Sequence, residues 1–368
     1  MENKEYHITH VNLFRVDQPL IKPYKLSYNT FNSFEPLLVQ IIDNHGNEGW
    51  GEQHISPGSS NETREGGWTF VRVLASLILK KTYFEAKFTI SKLAKYSKVA
   101  ATSMITAIEM LENNNSLYKN QTIKLKLLTA FSSEESFQIK DELDELIEKG
   151  FTTFKIKVGK DVKADLKKIE LIQFYLNKRG TLRIDANRGY SKFDGSLFSK
   201  SINPECIELF EQPCNADDWE ANKAVANVSN VPIMLDEPIC SLEDIKRASL
   251  IDGVELCKLK LKRFLSVQEL SDAIKYAHKL DLKIVIGDGL GSEINCWMEA
   301  KVAHELLNNA GEYNGFIKIK PEAKILKNHL KFEKGFLIIE KDWYPNIDNK
   351  KLEKYTIFKL SLIHISEP

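Results

Sequence analysis

The stretch Leu182–Tyr190 reads LRIDANRGY. A short apolar run ends there in Asp185, with Asn187 and a glycine turn close behind. This is the pattern of a buried strand whose C-terminal end presents a carboxylate to a loop. Two later runs end alike. CIELFEQP (Cys206–Pro213) puts Glu211 before Gln-Pro, and VPIMLDEP (Val231–Pro238) puts Asp236 and Glu237 before Pro. Upstream, FTTFKIKVG (Phe151–Gly159) sets Lys155 and Lys157 two residues apart, hence on one face of a strand. Downstream, GVELCKLKLKRF (Gly253–Phe264) places Lys258 at the matching position of a further strand. Carboxylates on successive strand ends meet only if those strands lie parallel and adjacent.

The rhythm extends in both directions. KLKLLTAF (Lys124–Phe131) reads as a first strand, and Ser132–Gly150 as a helix with a Ser132/Glu135 start and a glycine stop. Val162, Leu166, Ile169, Ile172 and Leu176 form the apolar stripe of the next helix. KIVIGDG (Lys283–Gly289) and GFIKIK (Gly315–Lys320) complete the series, and Ser266–Glu269 is a capping box before one intervening helix. Eight strands at intervals of roughly 22 to 31 residues predict an α/β fold of the (β/α)8, TIM-like type, in which every strand end opens on the same mouth. A doubly wound sheet would not bring so many successive ends to one centre.

Residues 1–118 read as a separate α+β capping domain. His7–Asp17 and Leu37–Asp43 alternate as strands, and NHGNEGWGE reads as a hairpin turn with a returning strand. Pro19–Glu35 reads as a long polar and aromatic loop, either functional or simply surface. Helical patterns follow at Trp68–Lys80, Phe84–Tyr96 and Ala100–Asn113. The barrel domain is expected over 119–329, and 330–359 as a segment returning to the cap. LSLIHISEP (Leu360–Pro368) matches a translated sequencing-library adapter, so 360–368 is set aside from the fold argument.

The chain has 368 residues, 43% apolar and 28% charged, with 51 basic and 51 acidic side chains. That balance leaves no basic footprint for nucleic acid. No apolar run is long enough to span a membrane, and the N-terminus lacks a signal-peptide core. Five cysteines without a CxxC spacing read as reduced thiols in a cytoplasmic protein. A homo-oligomer stays open.

Three carboxylates crowded at strand ends repel one another unless a cation sits among them. Hard oxygen ligands with open positions suit Mg2+ better than zinc. Asp185, Glu211 and Asp236 are the candidate metal ligands, with Asn187 and Glu237 beside them. A lysine base needs its pKa pulled toward neutrality. For Lys157, desolvation, the metal and Lys155 all act in that direction.

With these motifs assembled, the chain resembles the enolase superfamily, in particular the muconate-lactonizing-enzyme subgroup of the mandelate racemase/muconate lactonizing enzyme family. KIK (Lys155–Lys157) resembles its KxK strand; IDAN, FEQP and LDEP resemble its metal-ligand strands; Lys258 resembles its opposite-face lysine. The resemblance implies a barrel with an N-terminal cap and Mg2+-assisted removal of a proton next to a carboxylate by a lysine base. On this reading Lys157 is the base and Lys155 tunes it and touches the substrate carboxylate. Lys258 serves the other face. Lys260 lies two residues on with the same facing, and the better register with the family decides for Lys258.

Three departures accompany the resemblance. Arg263 and Phe264 stand where the family has a Gly-Gly pair, and the seventh strand leads into GDGLGSEI, with Asp288 and Glu293 as its acids. Dipeptide epimerases carry an Asp-x-Asp on the eighth strand, where this chain is read as KIKPE (Lys318–Glu322). That argues against dipeptides, and Lys320 becomes a candidate contact for a second anionic group. The expected activity is a racemase or epimerase acting on a small carboxylate such as an amino acid derivative. The alternatives are a lyase-type member (an o-succinylbenzoate synthase or a cycloisomerase) and a non-catalytic binding protein on the same scaffold.

Overall fold

The computed structural model describes residues 6–25, 30–118, 121–133, 136–287 and 289–364. Parallel strands Thr129–Phe131, Thr153–Lys157, Thr181–Asp185, Ile207–Glu211, Ile233–Leu235, Val254–Leu259 and Lys283–Ile286 form one curled sheet in chain order. They are the first to seventh barrel strands. Helices on the outside connect most of them; the helix before the third is Val162–Leu176, which buries Ile169, Ile172 and Leu176. Leu209, Met234, Leu256 and Val285 fill the barrel floor as a separate apolar layer, so the polar residues above them face the open end.

Closure does not come from GFIKIK. Gly315–Ile317 is a single 3-10 turn. Gly311 and Glu312 occupy the eighth position instead. Gly311 donates to Lys126 O and accepts from Leu128 N, both at 3.0 Å, and Glu312 N donates to Ile286 O at 2.9 Å. The first expected strand is also divided. Ile123–Lys126 pairs antiparallel with Phe336–Ile339 in a three-stranded sheet, and only Thr129–Phe131 joins the barrel. The helix after it runs Ser136–Glu148; Glu135 of the expected cap lies outside the described residues, and Ser132 N and Oγ donate to Glu142 at 3.0 and 2.6 Å. The Ser266 cap forms, accepting from Glu269 N at 2.9 Å.

The N-terminal unit is a four-stranded sheet ordered Thr356–Ile363, Ile8–Val16, Leu37–Asp43 and Glu48–Gln53. Helices Arg64–Ile78, Tyr83–Leu93 and Lys98–Leu111 cover it. The last helix lies directly on the GWGE strand. A Cβ at Gly49 would sit 2.1 Å from Ala107 O, and one at Gly51 would sit 1.8 Å from Ser103 O. Both positions therefore require glycine. Pro19–Glu35 is not a plain loop: Gln18–Lys25 and Thr30–Phe34 pair antiparallel. The outer strand Thr356–Ile363 extends through Leu360–Ile363, which pair with Leu13–His10.

Two buried glutamates tie this unit to the barrel by capping barrel helices. Glu109 accepts from Val267 N at 2.7 Å and Gln268 N at 3.0 Å. Glu52 accepts from Ser292 Oγ at 2.6 Å and Asn295 N at 3.2 Å. Each meets the N-terminal N–H groups that its helix leaves unpaired. Among the described residues no helix is long and apolar enough to cross a membrane.

Candidate active site

The barrel sheet delivers the carboxylates side by side. Parallel register places Lys157 opposite Asp185, and Asp185 opposite Glu211. Asp236 follows directly on the fifth strand, Ile233–Leu235. A cavity at the mouth is lined by Lys155, Lys157, Asp185, Asp236, Lys258 and Lys260, among others, with Tyr24 and Ser59 reaching in from the N-terminal unit. Its volume is about 30 Å³, room for a couple of waters rather than a substrate.

Lys155 Nζ lies 2.9 Å from Asp185 Oδ2, 2.8 Å from Glu211 Oε2 and 3.2 Å from Glu312 Oε1. Lys157 Nζ donates to Asp185 Oδ2 and Asn187 Oδ1, both at 2.5 Å. Asn187 sits at φ +43°, held there as its own N–H donates to Asp185 Oδ1 at 2.7 Å. Lys258 donates to Glu211 Oε1 at 3.1 Å and to Glu312. Lys260 donates to Asp236 Oδ2 at 2.9 Å, and Arg263 to Asp236 Oδ1 at 2.8 Å. Arg263, at the expected Gly-Gly place, thus clamps one of the candidate ligands. Glu237 pairs with Arg188 at 3.3 Å.

These contacts set the protonation states. Burial alone would raise the Asp185 carboxyl, but Lys155 and Lys157 hold it below its ordinary value. Burial is likewise outweighed at Asp236, which Lys260 and Arg263 hold well down. At Glu211 burial wins, aided by the neighbouring charge of Asp185, and its pKa is raised despite Lys155 and Lys258. Burial pushes Glu237 up to about 7, with Asp236 adding to the rise. Burial would lower Lys155, yet Asp185, Glu211 and Glu312 keep it well above the usual lysine value.

An anionic row this crowded needs a cation, as the Lys155 ammonium between Asp185 and Glu211 demonstrates. As the side chains stand, no three acid, histidine or cysteine groups among the described residues form a ready metal cage, because each carboxylate is turned onto a lysine or arginine. The donor set itself, three buried carboxylates on adjacent strand ends, fits a hard divalent ion such as Mg2+.

Glu312 is the site residue that sequence reasoning missed. It occupies the eighth-strand place, so KIKPE does not stand there; Glu312–Asn314, which does, is still not an Asp-x-Asp. Lys320 is exposed at the start of a 3-10 turn. Lys318 instead reaches Gly289 O at 2.5 Å across the Tyr24 ring. Of the acids after the seventh strand, Asp288 lies outside the described residues. Glu293 faces away, accepting from Leu330 N at 2.8 Å.

The sequence model of the family described as enolase C-terminal domain-like matches residues 138–342, more than half of the chain. The chain belongs to that family, within the enolase superfamily. It is similar to an N-succinyl-L-Arg/Lys racemase of Bacillus cereus, 22% identical with 89% of each chain covered. It is also similar to muconate cycloisomerase 1 of Acinetobacter baylyi, 24% identical over 94% of this chain and 98% of that one. The crystal structure of a Cytophaga hutchinsonii dipeptide epimerase complexed with Mg and D-Ala-L-Val superposes with a TM-score of 0.87, covering 96% and 99% at 18% identity. At that identity the structure speaks for the fold: a TIM-type barrel with an N-terminal cap. These relatives are isomerases.

Proposed function

We propose that the protein is an Mg2+-dependent racemase or epimerase that exchanges the proton α to the carboxylate of an amino acid derivative. The observation that carries this reading is the order of side chains around the mouth. Lys155 and Lys157 stand on the second strand, the three carboxylates at the ends of the third to fifth, and Lys258 and Lys260 on and after the sixth. A carboxylate row bracketed by lysines offers an amine to each face of a bound α-carbon.

Asp185, Glu211 and Asp236 would hold the Mg2+, which would offset the negative charge that develops on the substrate carboxylate. Lys157 takes the proton from one face; its side chain is 33% exposed at the mouth. Lys155 stands two residues below it on the same strand, held as an ammonium by Asp185, Glu211 and Glu312. Lys155 also offers its ammonium to the substrate carboxylate. For the other face Lys260 fits better than Lys258. The Lys258 side chain is 1% exposed, sealed between Glu211 and Glu312, and two residues deeper, about 7 Å along the strand. Lys260, 9% exposed beside Asp236, returns the proton, so the substrate ends with the opposite configuration at its α-carbon and, in net terms, one proton has moved from Lys260 to Lys157.

The cavity wall sets Lys155, Lys157, Lys258, Lys260 and Lys262 against Asp185, Asp236, Glu237 and Glu312, a balance that a bound divalent ion would make clearly positive, which suits an anionic, N-acylated amino acid better than one with a free ammonium. The name of the Bacillus cereus relative supports the same class. A second reading, a cycloisomerase or lyase, is favoured by the nearly full-length match to muconate cycloisomerase 1; there one lysine moves the proton and the other is a fixed charge. Five free cysteines support a reducing, cytoplasmic location. Deuterium exchange from D2O into N-acyl amino acids and dipeptides, with Mg2+ and with EDTA, tests the proposal. Exchange into both configurations that stops in EDTA is expected; no exchange into any member would sink it.

A further inference from the structure

Beneath the carboxylate row, Lys258 and Glu312 form a buried ion pair that the two-lysine exchange does not use. We infer that Glu312 is a positioning residue, the receiving partner for the Lys155 and Lys258 ammoniums when a divalent cation takes Asp185 and Glu211. The inference rests on the metal reading above. Its basis is shared occupancy. Lys155 already touches Asp185 at 2.9 Å and Glu211 at 2.8 Å while lying 3.2 Å from both Glu312 oxygens. Lys258 is likewise divided between Glu211 at 3.1 Å and Glu312.

A cation held by Asp185 and Glu211 would displace both ammoniums at once. Lys155, Lys258 and Glu312 are no more than 4% exposed, so the displaced charges cannot reach water. A buried ammonium stripped of its carboxylate is strongly unfavourable. Each ammonium has three donors and needs only to turn them from the ligand oxygens to Glu312. The carboxylate is well anchored for this. Glu312 N donates to Ile286 O and Glu312 O accepts from Gly289 N, both at 2.9 Å, so its backbone is fixed in the strand that closes the barrel.

Charge balance points the same way. Lys155 and Lys258 with the carboxylates they touch, Asp185, Glu211 and Glu312, sum to one negative charge. A divalent ion would make that group positive by one; without Glu312 it would be positive by two. Removing Lys258 as well as Glu312 restores the wild-type balance, and removing Lys258 alone leaves a group that favours the cation more.

Isothermal titration with MgCl2 on the full chain tests this. Glu312→Gln is expected to bind Mg2+ about ten- to a hundredfold more weakly than wild type, the size of one buried charge a few ångströms from the ion. Lys258→Met is expected to bind as tightly as wild type or more so. The double variant should return to within about threefold of wild type, the coupling expected of charges in one network. A merely structural role for Glu312 would not be rescued by a second core substitution. Wild-type affinity in Glu312→Gln, or a double variant as weak as Glu312→Gln, overturns the inference while leaving the metal reading in place. If Glu312→Gln does not fold, Lys258→Met decides: weaker binding than wild type overturns the inference, and equal or tighter binding upholds it. A wild-type chain that binds no Mg2+ overturns both readings, and that outcome is separable from the others.

Discussion

Glu109 is the place to perturb the joint between the N-terminal unit and the barrel. It is 2% exposed and caps the helix Val267–His278 by accepting from two N–H groups, with Asn114 at its edge. Burial lifts its carboxyl from an ordinary 4.5 to about 7, against the lowering pull of the Gln268 and Val267 amides. A carboxyl raised on folding binds its proton more tightly in the folded state. Its contribution to stability is therefore full below about pH 4.5 and is lost as pH rises through about 7. The gap corresponds to ~3 kcal/mol at most. An ionised carboxylate at a helix N-terminus recovers up to ~2 kcal/mol by favourable interaction with the helix dipole, so a net loss on the order of 1–3 kcal/mol is expected. Glu109→Gln keeps the shape and cannot titrate. Urea unfolding at pH 5, 6, 7 and 8 should show wild type losing that much more stability than Glu109→Gln across the series. Parallel profiles, or a wild type that gains on the variant as pH rises, would show that the amides dominate burial and that the carboxylate is ionised throughout.

Three further outcomes are expected. Asp236→Asn should weaken Mg2+ binding and abolish turnover while far-UV circular dichroism and the unfolding transition stay cooperative; full activity would remove Asp236 from the ligand set. Gly51→Ala should destabilise the chain by at least ~1–3 kcal/mol in urea, because its Cβ would meet Ser103 O at 1.8 Å; an unchanged midpoint would mean that the helix can shift freely. Lys320→Ala should leave the Michaelis constant for the identified substrate unchanged, since Lys320 does not line the mouth; a severalfold rise would place it back at the site.

How far the site could be read in advance depends on what each residue writes into its neighbours. Asp185, Glu211 and Asp236 end apolar runs and are followed by a turn or a proline, so strand, strand end and carboxylate all register together. Glu312 has no such frame. Its strand is reduced to the few bridging bonds around Gly311 and Glu312, while the apolar run just after it, GFIKIK, imitates a strand and forms a 3-10 turn. The choice between Lys258 and Lys260 was not legible for a different reason. Residues two apart share a facing, and their depth depends on strand tilt and stagger, which only the closed barrel sets. The pairing of Gln18–Lys25 with Thr30–Phe34 was hidden by proline and aromatic content, which obscures alternation. Tyr24, which reaches the mouth, belongs to that stretch, read from the sequence as an aromatic loop either functional or simply surface.

Deuterium wash-in by single lysine variants tests the central claim most directly. Wild type in D2O with Mg2+ should label both configurations of its substrate and interconvert them. Lys260→Ala should label one configuration only and Lys157→Ala the opposite one, with the lost step slowed by ~10^2- to 10^4-fold. Loss of exchange from both configurations in either variant would contradict the two-face assignment, and an unaffected Lys260→Ala beside a one-sided Lys258→Ala would return the second role to Lys258.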